Sequence, residues 1–130
     1  MGQVMTPGGF HSFEHRWALD EAFRFHLAIG KPRVTERIHA LNDQLKEGLA
    51  AMRGVVLHTP ATRELSAGIV CFEVDGHPPH QVVRDLRQRG IVASVTPYAT
   101  HYVRLAPSLL NSSEDIQKTL EAVRALSPKG

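Results

Sequence analysis

The sequence predicts an α+β fold: a small mixed β-sheet with helices packed on one face, preceded by a long helix. Three observations lead there. Apolar residues recur at helical spacing through two N-terminal segments. After Gly54 the rhythm changes to short apolar runs broken by Gly and Pro, the pattern of strands and turns. A last amphipathic segment opens on a capping signature, so the order is helix, helix, strand, strand, helix, strand, strand, helix.

Each element has its own warrant. Trp17, Ala18, Ala22, Phe25 and Ile29 predict a first helix from about residue 16 to 29, with Gly30 as its cap and Pro32 opening the next segment. Val34, Ile38, Leu41, Leu45, Leu49 and Met52 step by three and four, the strongest periodic signal in the chain. Residues 55–57 form a short strand. The run from Ala67 to Val74 is apolar almost without interruption and predicts a strand covered on both faces. Pro79 to Arg89 gives a helix with Val82, Val83 and Leu86 inward. Ile91–Thr96 and Tyr102–Ala106 are two further strands around Pro97-Tyr98. The strand–helix–strand unit within 67–96 predicts a crossover between parallel neighbours. Asn111-Ser112-Ser113-Glu114 predicts a capping box with Asn111 in the cap, followed by Ile116, Leu120, Val123 and Leu126 on one side. Residues 1–15 form an N-terminal loop or linker and 16–130 a single domain. Phe13, Trp17, Phe23 and Phe25 surround more than one face of the first helix, which implies a partner beyond its own small domain.

Composition narrows the function classes. With 42% apolar and 22% charged residues in 130, the chain has the balance of a globular domain. No run reaches the roughly 18 apolar residues of a membrane helix, and no membrane partner is expected. A pI near 9.0 invites a nucleic-acid reading. Yet Arg84, Arg87 and Arg89 are interrupted by Asp85 and carry no interleaved aromatics, so no nucleic-acid partner is expected either. The single cysteine, Cys71, is expected as a buried thiol in a reducing, cytoplasmic compartment.

Two places could carry chemistry. His11-Ser12-Phe13-Glu14-His15 fits H-x-x-E-H, in which two His grip zinc and the Glu activates its water. It falls at a loop-to-helix junction with no distal ligand in evidence, which leaves a zinc-binding hydrolase through His11, Glu14 and His15 as a minor alternative and no metal assigned. Arg104 is the one charged residue in Tyr102–Ala106, and a guanidinium among apolar neighbours requires an anion. Its planar fork suits a carboxylate, though solvent or a nearby Glu would also serve. Thr96, Tyr98 and His101 flank the turn and could line a pocket, while the remaining histidines show no ligand spacing.

Three segments in order, TPGGFHSFEHRWAL from Thr6, SAGIVCF from Ser66 and RLAPSLLN from Arg104 to Asn111, carry a family resemblance across roughly residues 6–126. The chain resembles the C-terminal small domain of class V aminotransferases, above all the isopenicillin-N-epimerase-like and cysteine-desulfurase-like members. The resemblance implies the small domain of pyridoxal-phosphate (PLP) fold type I, PLP as cofactor, an amino-acid substrate and a homodimer. It gives Arg104 the substrate's α-carboxylate and no catalytic residue. It places His11 and Ser12 near the cofactor phosphate of a neighbouring subunit, although the Gly-Thr of many relatives is missing. The Schiff-base lysine belongs to a preceding large domain, and Lys31, Lys46, Lys118 and Lys129 do not match it. The expected function is a share in transamination, epimerisation or desulfuration, inactive in this chain alone. A standalone α+β module for binding or dimerisation without catalysis is the alternative.

Overall fold

A computed structural model describes residues 12–127. The chain divides into two compact units, one ending at Val34 and the other beginning at Thr35.

The first unit holds helix α1, Phe13–Ile29, which starts three residues before the expected position because Ser12 caps it. The Ser12 hydroxyl accepts the His15 N–H at 3.4 Å and donates to the Glu14 carboxylate at 2.8 Å. Hydrogen bonds from its own backbone and from Ser12 hold the Glu14 pKa below the ordinary value. Gly30 ends the helix at φ 93°, a conformation that disfavours any side chain, and its N–H reaches back to the His26 carbonyl. No residue of α1 is buried, and Trp17 is 71% exposed. Helix α2, Lys31–Ala50, begins in this unit and continues into the second.

In the second unit α2 is followed by β1 (Val55–Leu57), β2 (Val70–Val74), α3 (Pro79–Gln88), β3 (Ser94–Val95), β4 (Val103–Leu105) and α4 (Ser113–Arg124). The strands form one sheet in the order β1-β2-β4-β3. Every pairing is antiparallel, which corrects the expected mixed sheet. β2 and β3 flank β4 instead of pairing with each other, so the expected parallel neighbours are separated by a strand that arrives later in the chain. The α+β class stands.

One face of this sheet makes the core. Val70, Phe72 and Val74 of β2 and Val103 and Leu105 of β4 are buried with Leu41, Leu45 and Leu49 of α2, Val82 and Leu86 of α3, and Ile116, Leu120 and Val123 of α4. The residues between them, Cys71, Glu73 and Arg104, are only half-buried. β2 is therefore covered on one face, not on both as its apolar run suggested; Ile69, which precedes the strand, is 50% exposed. Gly90 ends α3 at φ 78° and turns the chain toward β3. Ser112, not Asn111, caps α4: its hydroxyl accepts the Asp115 N–H at 3.2 Å while Asp115 accepts the Ser112 N–H at 3.0 Å. Asn111 instead accepts the Ser108 N–H at 2.9 Å and so closes the preceding turn.

A buried lysine fastens the loop between β1 and β2. Lys46 Nζ donates to the Ala61 carbonyl at 2.8 Å and to Ser66 Oγ at 3.0 Å, and lies 3.2 Å from Asp43. Arg63 from the same loop meets the other Asp43 oxygen at 2.7 Å and extends to Glu36. An ammonium with three acceptors repays its desolvation, and the polar ring holds the loop against α2.

Candidate functional site

The open face of the sheet is where the polar side chains collect, a consequence of strand alternation in β2 and β4. Cys71 stands opposite Arg104 and Arg104 opposite Ser94, so these three form one row across β2, β4 and β3. His58 extends that row past β1, its N–H bonded to the Cys71 carbonyl at 2.9 Å. Next to the row, the His58 ring stacks on Tyr102 with centroids 3.9 Å apart and brings Nε2 to 3.3 Å from Glu73. Cys71 is thus half-buried on the polar face and not in the core where the sequence predicted it.

Arg104 occupies the centre of this surface. Its Nε donates to Ser94 Oγ at 3.0 Å, which directs the guanidinium toward the edge strand β3. Among the described residues no carboxylate pairs with it, so the Glu partner that the sequence left open is not there. Arg104 also borders an open cleft of about 880 Å³ running from the end of α3 past β4 to α4. Arg89, Ser94, Arg104, Pro107, Asn111 and Lys118 are among its lining. Asp115 also borders it, with its pKa lowered first by the Ser112 N–H, then by Asn111 and the charge of Lys118.

The turn residues have a structural task. The Thr96 hydroxyl accepts the Tyr102 N–H at 2.9 Å and donates to the Thr100 carbonyl at 3.1 Å, and His101 Nδ1 lies 3.0 Å from the Thr96 carbonyl. Tyr98 is exposed. None of the three lines the cleft. His11 lies outside the described residues, and Ser12 is the cap of α1. No cluster of three metal-ligating side chains occurs among the described residues, and Glu14 is engaged in the cap. The row from His58 to Ser94 was not foreseen, because it exists only once three separate strands are in register.

An antiparallel sheet with helices on one face is the α+β arrangement of PLP-dependent relatives of fold type I. The family pattern described as aminotransferase class-V matches residues 10–118, and the chain belongs to that family. It is 27% identical over 106 residues to an ornithine aminotransferase of Emericella nidulans, covering 80% of this chain and 23% of that protein. In structure it is similar to an apo cysteine desulfurase from Thermococcus onnurineus NA1, with TM-score 0.74, 26% identity and coverage of 79% of this chain and 28% of that one. It also shares the fold of a cystine C-S lyase variant with glycine covalently linked to its PLP, at TM-score 0.70, 22% identity and coverage of 79% and 26%. The chain therefore spans about a quarter of the length of these relatives.

PLP is the cofactor of this family, and three of the four lysines fall among the described residues. Lys31 and Lys118 are exposed on helices. Lys46 is buried with its ammonium already held by Asp43, Ala61 and Ser66.

Proposed function

We propose that this chain supplies the substrate-carboxylate arginine of a PLP-dependent enzyme acting on an amino acid. The observation that carries the reading is Arg104, centred on the open face, oriented by Ser94 and without a carboxylate partner among the described residues. The carboxylate takes the Nη1/Nη2 edge left by the Ser94 bond, and its orientation fixes where the substrate's Cα lies relative to the cofactor. A large domain carrying the lysine, a homodimer and a cytoplasmic setting complete the reading, with His11 and Ser12 near the phosphate of a neighbouring subunit's cofactor. Transamination, epimerisation and desulfuration all make use of such a grip. Alone, the chain is inactive toward amino acids with added PLP.

The test is a titration of the ¹⁵N-labelled chain with L-alanine followed by amide shifts. Shifts should centre on Ser94 and Arg104, and Arg104→Gln should weaken binding at least about tenfold, since a charge-assisted fork contributes ~1.5–3 kcal/mol. Shifts elsewhere, unchanged by that substitution, would remove the reading. The exposed aromatics of α1, Trp17 and Phe25 at 71% and 69%, favour a second reading, a dimerising module without catalysis. A single defined dimer on size exclusion that is lost in Trp17→Glu, together with no carboxylate binding, would establish it instead.

A further inference from the structure

Two histidines from separate elements meet outside the Arg104 cleft. His80, the second residue of α3, and His101, two residues before β4, hold their rings 5.7 Å apart between centroids, with planes inclined by 62°. Both residues are exposed, and neither lines the cleft. Two imidazoles on one tetrahedral metal, bound at about 2.0–2.1 Å, have centroids roughly 5 Å apart, so the observed spacing is close to that of a chelating pair. His101 Nδ1 lies 3.0 Å from the Thr96 carbonyl, an oxygen that can only accept. In the neutral ring the proton therefore sits on Nδ1 and the Nε2 lone pair is left for a ligand, the way a backbone carbonyl fixes a metal-binding imidazole. On α3, Gln81 bonds Asp85 and holds the Arg84 guanidinium, which leaves the His80 ring outside that network. No third protein ligand joins the pair among the described residues.

We propose that His80 and His101 form a two-histidine clip for a divalent transition metal of the zinc, nickel or copper type, with water in the remaining positions. Neutral imidazole suits these ions, whereas magnesium and calcium take oxygen ligands. The bound ion ties the start of α3 to the loop that leads into β4. The clip does not rest on the reading of Arg104.

The experiment titrates the ¹⁵N-labelled 130-residue chain with Zn²⁺, and separately with Mg²⁺, while ring nitrogens of the histidines and backbone amides are followed. Zinc should shift the ring nitrogens of His80 and His101 over the same concentration range, together with the amides beside them, and magnesium should shift neither. His80→Gln and His101→Gln should each weaken zinc binding at this place at least about tenfold, because the second imidazole no longer closes on the ion within one molecule. The amide spectrum of each variant away from the substitution should match that of the parent chain, which separates loss of a ligand from loss of the fold. Shifts centred on other histidines or on Cys71 overturn the clip. So does an affinity unchanged in either variant, or no response to zinc up to ~1 mM, the limit of weak specific binding.

Discussion

Lys46 and Asp43 show how a pair that looks unremarkable in sequence becomes a structural fastening. Their i, i+3 spacing is that of any surface ion pair on a helix, yet the Lys46 side chain is only 4% exposed and also holds two loop groups. Partial burial pushes the Asp43 pKa up, but hydrogen bonds from Arg63 and Lys46 and their charges outweigh it and leave it below the ordinary value. A carboxylate with a depressed folded pKa stabilises fully above its unfolded value of about 3.9, and that stabilisation is lost as the pH falls from there through the folded value. Asp115 and Glu114 shift in the same direction. Stability measured by urea denaturation should therefore fall on acidification below about pH 4. Asp43→Asn should cost about 2–3 kcal/mol at pH 7 because it leaves a buried ammonium short of its counter-charge, and the loss below pH 4 should be smaller in that variant. Arg104 was legible at this scale because its strand neighbours are apolar. Arg89 and Lys118 were not, since each looks like a solvated helix charge until the fold brings it to the same cleft.

Among the elements, α2 and α4 meet where Gly48 leaves room for Leu120. A Cβ at Gly48 would collide with Leu120 Cδ1 and come within 2.6 Å of Cδ2. Leu120 is buried, so it has little space to yield. Gly to Ala in an exposed helix gains about 1 kcal/mol; here overpacking should win and Gly48→Ala should destabilise by about 1–2 kcal/mol. In a double-mutant cycle read by thermal unfolding, Leu120→Ala should cancel most of the effect of Gly48→Ala, since the colliding atoms are gone. The strands were legible as apolar runs, but their ends were not: Ala67–Val74 shortens to Val70–Val74 and Ile91–Thr96 to Ser94–Val95. Apolar composition continues into loops that have no partner strand to pair with. The cap of α4 moved from Asn111 to Ser112 because Asn111 is taken by the Ser108 N–H, while Ser112 and Asp115 bond each other reciprocally.

At the scale of the whole molecule, the two units differ in what secures them. The second owns the buried cluster of sheet and helices, while α1 in the first buries none of its residues. Native-state hydrogen exchange should follow that difference. Amides of α1 should exchange at least about a hundredfold faster than those of β2 and β4, which open only with the core. Comparable protection in both would mean that α1 is covered in solution by a partner.

The sequence by itself determined the helices and the α+β class, because each follows from local spacing. The tertiary structure decided the strand order, since β4 pairs with both β2 and β3, and pairing across a sheet is a property of distant segments. It also decided the site, because the row from His58 to Ser94 and the cleft of Arg89, Arg104 and Lys118 exist only where separate elements come into register.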